Sequence, residues 1–312
     1  MKDANAFTRR AFLSHVTAGG ALALGLSTKG FAEAGSESSD TADNSPWQIG
    51  CYTRPFGSLE YPAALDAIAE AGYRHVGLMS TQIDGRGGLV ITYQTTLDEA
   101  LAVGEACKSR GLSVPSAYGG GIPVVESLDA GITGMRSLID NCEAAGVADL
   151  LMGGVGDPEL QGPYYKAVAE TCDYAAEKGV SISVKPHGGL NATGAQCRDI
   201  VNEVNHKNFR VWYDPGNIFY YSDAELDPVD DAADVDGLVV GMCVKDYEHP
   251  RKVDVTPGTG MVDFPAVMKR LIQGGFTGGA LVVETLAPGD VKETIQEAIK
   301  AREFLEALVA DL

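Results

Sequence analysis

Basic side chains are scarce in this chain of 312 residues, where 24 lysines and arginines stand against 43 aspartates and glutamates, for a formal net charge of -19. Nucleic-acid phosphates and anionic membrane surfaces are bound through clustered Lys and Arg. The composition therefore argues against both kinds of partner. Because 45% of the residues are hydrophobic, the chain can bury a large core, and we expect a soluble protein that acts on small molecules.

Long hydrophobic runs and metal-binding cysteine spacings are also missing. The apolar stretch at residues 16–26 is too short, and too rich in Gly, Ser and Thr, to span a bilayer as a stable helix. None of the cysteines is part of a CxxC or similar spacing. Most lie in predicted strands or helices, where a buried thiol is typical, so we expect no disulfide framework. The six cysteines are Cys51, Cys107, Cys142, Cys172, Cys197 and Cys243.

The N-terminus has the pattern of an export signal. Arg9 and Arg10 precede the apolar stretch, which is followed by an A-x-A sequence that ends at Ala34. This order is typical of a secretory signal, and the paired arginines resemble the twin-arginine type. We predict that residues 1–34 are this signal and that residues 35–46 are a flexible lead-in. The mature protein is then expected in the periplasm, without membrane insertion.

From residue 47 onward, short apolar runs alternate with helical patterns in eight repeats. This alternation favours a parallel sheet, and the span of residues 47–312 has the length of a closed barrel. No glycine-rich phosphate turn follows the first strand, which argues against an open doubly wound sheet. The sequence therefore predicts a single (β/α)8 TIM barrel. Its predicted strands are residues 48–52, 75–79, 113–117, 150–153, 181–185, 210–214, 238–245 and 280–284.

Polar side chains end the last four predicted strands. In a (β/α)8 barrel the carboxyl ends of the strands meet at one rim, where the chemistry takes place. We therefore expect these side chains to lie close together. They are Lys185 and His187 on the fifth strand, Asp214 and Asn217 on the sixth, Cys243 and Lys245 on the seventh, and Glu284 on the eighth.

Three segments at these strand ends carry a family resemblance. They are Asp-Pro-Gly-Asn at 214–217, Val-Lys-Asp-Tyr at 244–247 and Gly-x-Gly-x-Val-Asp-Phe at 258–264. Together they resemble the sugar phosphate isomerase/epimerase superfamily, the xylose isomerase-like TIM barrels, over residues 47–310. The resemblance implies isomerisation or epimerisation of sugars through an enediolate, often on a divalent metal such as Mn²⁺. It also implies a metal set of Glu, Asp, His and Glu at the ends of strands five to eight, with both glutamates serving as acid and base.

The sequence departs from that metal set at two positions. Asp214 and Glu284 match it, but Lys185 stands in place of the first glutamate and Cys243 in place of the histidine. Because an ammonium group repels a metal cation, we expect the metal site to be weak or absent, with Lys185 supplying the positive charge. An alternative ligand set for Mn²⁺ or Zn²⁺ adds His187 to Asp214, Cys243 and Glu284.

The sequence thus predicts an exported sugar isomerase/epimerase-like enzyme whose catalytic residues are Glu284, Lys185 and His187. Glu284 would be the base and Lys185 would stabilise the enediolate. One alternative is a catalytically lapsed barrel that binds carbohydrate or scaffolds a partner, and another is a lysine-dependent lyase or aldolase. The carboxylates beside Lys185 disfavour the last, since they favour its charged form. The substrate-binding candidates are Asp214, Asn217 and Lys245.

Overall fold

A computed structural model describes residues 45–312 of the chain. The predicted export signal, residues 1–34, and most of the predicted lead-in lie outside these described residues. Pro46 is already held against the folded chain, because its carbonyl oxygen accepts a hydrogen bond from Gly279 N at 2.9 Å. Within residues 45–312, no helix is both long enough and apolar enough to cross a membrane.

The strands in chain order are β1 (Trp47–Tyr52), β2 (His75–Leu78), β3 (Ser80–Ile83), β4 (Arg86–Leu89), β5 (Ser113–Tyr118), β6 (Asp149–Met152), β7 (Ser181–Val184), β8 (Phe209–Tyr213), β9 (Val239–Val244) and β10 (Gly279–Val283). Eight of them are parallel and close into a barrel in the order β1-β2-β5-β6-β7-β8-β9-β10, and β10 pairs back to β1. The closing pair runs from Trp47 opposite Gly279 to Cys51 opposite Val283. β3 and β4 form a separate antiparallel hairpin. The predicted single (β/α)8 TIM barrel is confirmed.

Helices cover the outside of the barrel between successive strands. In chain order they are α1 (Tyr61–Glu70), α2 (Leu97–Lys108), α3 (Leu128–Ala145), α4 (Pro158–Ala169), α5 (Cys172–Glu177), α6 (Gly194–Val204), α7 (Pro215–Ser222), α8 (Pro228–Asp231), α9 (Phe264–Gln273) and α10 (Val291–Ala310), with short 3-10 turns at Arg54–Phe56 and Ala232–Val235. All six cysteines are buried as free thiols.

Local sequence signals determine where several of these helices begin and end. At α2, Glu99 N donates to Thr96 Oγ1 at 3.3 Å and Thr96 N donates to Glu99 Oε2 at 2.8 Å, which is a capping box. Glycines between helices and strands have φ values between 68° and 99°, in the left-handed region that favours glycine. They are Gly72, Gly111, Gly146, Gly179 and Gly275, the five glycines that precede predicted strands.

Two helix boundaries differ from what the local sequence pattern predicts. The helical pattern over residues 164–178 is divided between two helices, α4 and α5. They separate at Thr171, whose hydroxyl donates back to Ala167 O at 2.9 Å. The Asp-Pro-Gly-Asn segment at 214–217, a composition typical of turns, begins α7. Helix formation is supported there because Asp214 Oδ1 accepts a hydrogen bond from Asn217 N at 3.0 Å.

Two large aromatic rings fill the inside of the barrel opposite two glycines. Tyr52 and Trp212 are buried there, together with Met79 and Leu151. A Cβ atom at Gly77 would overlap the Tyr52 ring, and one at Gly241 would overlap the Trp212 ring. The barrel therefore reaches close packing by pairing a large residue with glycine on the neighbouring strand.

We expect Gly77→Ala to lower the free energy of unfolding by about 1–3 kcal/mol, because the added methyl group overpacks the barrel against Tyr52. Urea unfolding measures the change. Gly87→Ala is the matched control: a Cβ atom at exposed Gly87 meets no atom within 4 Å, so stability should stay within about 0.5 kcal/mol. Equal stability of the two variants would contradict this packing arrangement.

Candidate active site

A cavity of about 350 Å³ opens among the carboxyl ends of the barrel strands. Of the sequence-predicted site residues, five line this cavity, whereas Asp214 and Cys243 lie buried outside its lining. The walls are formed by Arg54, Met79, Ser80, Leu89, Tyr118, Lys185, His187, Asn217, Tyr220, Tyr221, Lys245, Val253 and Glu284.

Lys185 places an ammonium group at the centre of the predicted site. It follows directly after β7, and its side chain is 1% exposed. Its Nζ donates to Glu284 Oε2 at 2.5 Å and to Asp214 Oδ2 at 3.1 Å, and lies 3.6 Å from Cys243 Sγ. All three N–H groups of the ammonium are therefore directed at protein atoms.

A second ammonium group, that of Lys245, shares the same carboxylates. Its Nζ lies 2.7 Å from Glu284 Oε1 and 3.3 Å from Asp214 Oδ2, and it donates to Asn217 Oδ1 at 3.0 Å. Gly216 in α7 permits this close approach, because a Cβ atom there would come within 2.6 Å of Lys245 O. Two buried lysines thus bridge two buried carboxylates.

Glu284 is surrounded by cations. Its Oε1 also accepts a hydrogen bond from an Arg54 guanidinium nitrogen at 2.7 Å. Burial opposes ionisation of this carboxyl, but Lys185, Lys245 and Arg54 outweigh that cost and hold the pKa of Glu284 well below its usual value. Burial similarly disfavours the ammonium of Lys185, but the acidic groups in contact with it keep its pKa well above the ordinary value.

Asp214 and Asn217 position the lysines. Asp214 was expected to bind substrate, but it is fully buried and outside the cavity lining, with Oδ1 capping α7 and Oδ2 facing the lysines. Asn217 lines the cavity, but its amide oxygen accepts from Lys245 and its amide nitrogen donates to Pro186 O at 2.7 Å. The polar atoms of both side chains are therefore engaged within the protein.

His187 lies in the cavity wall between two tyrosines. The centroid of its ring is 5.8 Å from that of Tyr118 and 6.1 Å from that of Tyr221. Enclosure by the walls, and next the positive charge of Lys185, lower the pKa of His187 to about 4, although one side of the residue is open to solvent. At neutral pH the cavity thus presents a neutral imidazole that a ligand can reach.

The donor atoms of Asp214, Cys243 and Glu284 lie within 4.8 Å of one another, a spacing that could hold a metal ion. However, the Lys185 ammonium contacts all three of these side chains, so it takes the position at which a metal would bind. Burial also raises the pKa of the Cys243 thiol well above its usual value, which disfavours the thiolate that binds metals. This donor set does not fit a divalent cation.

The alternative four-residue ligand set is not assembled. His187 is outside the cluster of donor atoms, because its ring packs with Tyr118 and Tyr221 on the cavity wall. In this structure the cluster consists of Asp214, Cys243 and Glu284, without His187.

Eight of the thirteen cavity-lining residues were not predicted from the sequence. Two of these eight, Arg54 and Tyr118, follow from the rule used for the last four strands. Arg54 begins the 3-10 turn that follows β1, and Tyr118 is the last residue of β5. Both are polar groups at carboxyl ends of barrel strands.

The closed parallel barrel with polar side chains at the carboxyl ends of its strands is a (β/α)8 TIM barrel, and residues 65–308 match the xylose isomerase-like TIM barrel family. The chain belongs to this family. A comparison with curated protein sequences finds no match.

Solved structures show the same fold at low sequence identity. The xylose isomerase domain protein from Planctomyces limnophilus is 20% identical, with 85% of this chain and 99% of that chain covered and a TM-score of 0.66. A xylose isomerase-like TIM barrel protein from Mycobacterium smegmatis, solved in complex with magnesium, is 15% identical, with coverage of 86% and 98% and a TM-score of 0.69. D-psicose 3-epimerase from Clostridium cellulolyticum H10, solved with D-tagatose, is 14% identical, with coverage of 84% and 99% and a TM-score of 0.64.

Proposed function

We propose that this protein is a sugar isomerase/epimerase-like enzyme that works without a metal, with the Lys185 ammonium in the place of the divalent ion. The observation that carries the proposal is that Lys185 Nζ contacts Asp214, Cys243 and Glu284 at once. A keto-sugar is supported as the ligand by the charged and polar side chains in the cavity wall and by structural neighbours solved with D-fructose, D-tagatose and D-allulose.

The charges around the cavity suit an enediolate. Removal of the proton beside a carbonyl group leaves negative charge on oxygen, which fixed cations stabilise in a water-poor site. Lys245 and Arg54 line the cavity beside Lys185, so their positive charges act on the same ligand. Because the carboxylates hold these side chains in place before the ligand arrives, little reorganisation is needed.

His187 is better placed than Glu284 to accept the proton. Both oxygens of Glu284 are bonded to cations, and its lowered pKa makes it a weak base. The ring nitrogens of His187 have no hydrogen-bond partner among the residues that the structure describes, and the ring reaches the cavity as neutral imidazole. Glu284, predicted from the sequence as the base, is then the group that holds the cations together.

The test is solvent-deuterium exchange at the carbon beside the carbonyl of D-fructose, D-tagatose and D-allulose, followed by NMR in EDTA-treated protein. We expect exchange that EDTA does not reduce and that His187→Asn slows by about 10²–10⁴-fold. His206→Asn is the control, since His206 pairs with Asp173 and is not part of the cavity lining. Exchange that requires added Mn²⁺, or that is unchanged in His187→Asn, would refute the proposal.

A second candidate function, sugar binding without catalysis, is favoured by one specific observation. Every hydrogen-bonding group of the two lysine ammoniums faces a protein atom, so neither has a free N–H for a substrate oxygen. Calorimetric binding of a sugar that shows no deuterium exchange would select this candidate over the enzyme.

A further inference from the structure

We propose that the ligand of the 350 Å³ cavity is a sugar acid, a sugar that bears a carboxylate group, and that Arg54 binds this carboxylate. This inference rests on the proposed function, because it names the substrate class of the same cavity. It differs from the neutral sugars found with the related structures.

The cavity has an excess of positive charge. Arg54, Lys185 and Lys245 are cationic, and the carboxylates that contact them are those of Glu284 and Asp214. The formal charges therefore sum to one positive charge, in a chain whose total is -19. A ligand with one negative charge would balance this site, because Coulomb attraction at contact distance favours an anion beside the excess cation.

Arg54 carries the free hydrogen-bond donors of this cation cluster. The lysine ammoniums are fully engaged, but a guanidinium has five N–H groups and Arg54 uses one nitrogen, on Glu284. Its remaining N–H groups have no partner within residues 45–312, and its side chain is 35% exposed. The planar fork of a guanidinium matches the two oxygens of a carboxylate, and such pairs are among the stronger hydrogen bonds in proteins.

A neighbouring cavity of about 200 Å³ shows on which side of Arg54 the anion would bind. Arg54 and Glu284 line both cavities, but the smaller one is also lined by Asp254, whose carboxylate acts on Arg54 from beyond ion-pair distance. In the smaller cavity the carboxylates of Glu284 and Asp254 outnumber the Arg54 guanidinium, and this excess of negative charge disfavours the binding of an anion. The carboxylate is therefore assigned to the larger cavity.

The test is calorimetric titration of the full chain with matched pairs of ligands, D-tagaturonate against D-tagatose and D-galacturonate against D-galactose. At least one acid should bind at least tenfold more tightly than its neutral partner. Arg54→Met should weaken that acid by about tenfold to hundredfold and abolish the preference, since a charge-assisted hydrogen bond is lost. High salt should weaken the acid but not the neutral sugar.

Two further variants make the result specific. Arg198→Met is the matched control, because Arg198 is 36% exposed, pairs with Asp199 and Asp234 and is outside both cavity linings; it should leave every affinity unchanged. If Arg54→Met fails to fold, Arg54→Lys retains a cation for Glu284 while it removes the fork, and should still lose the preference.

The outcomes separate this inference from the proposed function. Equal or tighter binding of both neutral sugars, absence of binding by both acids at millimolar concentration, or an acid preference that survives loss of the Arg54 fork would overturn it. An acid that binds through Arg54 but shows no deuterium exchange would refute the enzyme and leave this inference intact. Deuterium exchange on neutral keto-sugars, without tighter binding of either acid, would support the enzyme and overturn this inference.

Discussion

Lys185→Met should lower the free energy of unfolding by about 3–5 kcal/mol at pH 7, the cost of removing one partner from a buried ion pair. The ammonium is 1% exposed and bridges Asp214 and Glu284, which are themselves buried. Without it, the cationic partners left to the two carboxylates within residues 45–312 are Lys245 and, for Glu284, Arg54. Urea unfolding of parent and variant measures the loss.

The double variant Lys185→Met/Glu284→Gln tests whether the loss comes from the pair. Its unfolding free energy should be higher than the sum of the single changes predicts, because removing both partners leaves less charge unpaired. Additive effects would contradict the coupling. Lys245→Met is the comparison, since that side chain contacts the same carboxylates but keeps the Lys185 bridge.

The pH dependence of stability should change in the same variants. The pKa of Glu284 is lowered in the folded protein, so its stabilising contribution is present above pH 4.5, the ordinary value, and is lost as the pH falls below it. The pKa of Lys185 is raised, so its contribution is present below pH 10.5 and is lost as the pH rises through the folded value. Lys185→Met should therefore flatten both limbs of the parent's stability profile.

Restoring the ligand set implied by the family resemblance should create a metal site. We expect Lys185→Glu/Cys243→His to bind about one Mn²⁺ per chain after dialysis, whereas the parent binds none in stoichiometric amounts. The first change replaces a positive charge by a negative one, and the second replaces a protonated thiol by an imidazole beside Asp214 and Glu284. Elemental analysis and calorimetry measure the bound metal.

The single variants show how much each substitution contributes to the binding of Mn²⁺. Cys243→His alone should bind no Mn²⁺, because the Lys185 ammonium still contacts both carboxylates. Lys185→Glu alone should bind it more weakly than the double variant. A parent protein that retains one divalent ion through dialysis would show that Lys185 can move aside, and would remove the reason for a metal-independent mechanism.

The barrel could be predicted from the sequence because its signals are local. Each strand is a short apolar run, and each is recognised without knowledge of its neighbours. Gly111 and Gly146, at helix-to-strand junctions, have φ values of 68° and 70°, a conformation that other residues rarely adopt. The contact between Lys185 and Glu284 could also be predicted from the sequence, since parallel strands bring their carboxyl ends to one rim of the barrel.

The sequence by itself therefore determined the eight-stranded barrel and the rim of polar strand ends. Only the tertiary structure decided which of these side chains face the cavity. It buried Asp214 as an anchor and separated His187 from the donor atoms. It also brought Arg54 to Glu284, 230 positions along the chain. The physical reason is that these pairings depend on side-chain reach and burial across separate strands, which no local periodicity encodes.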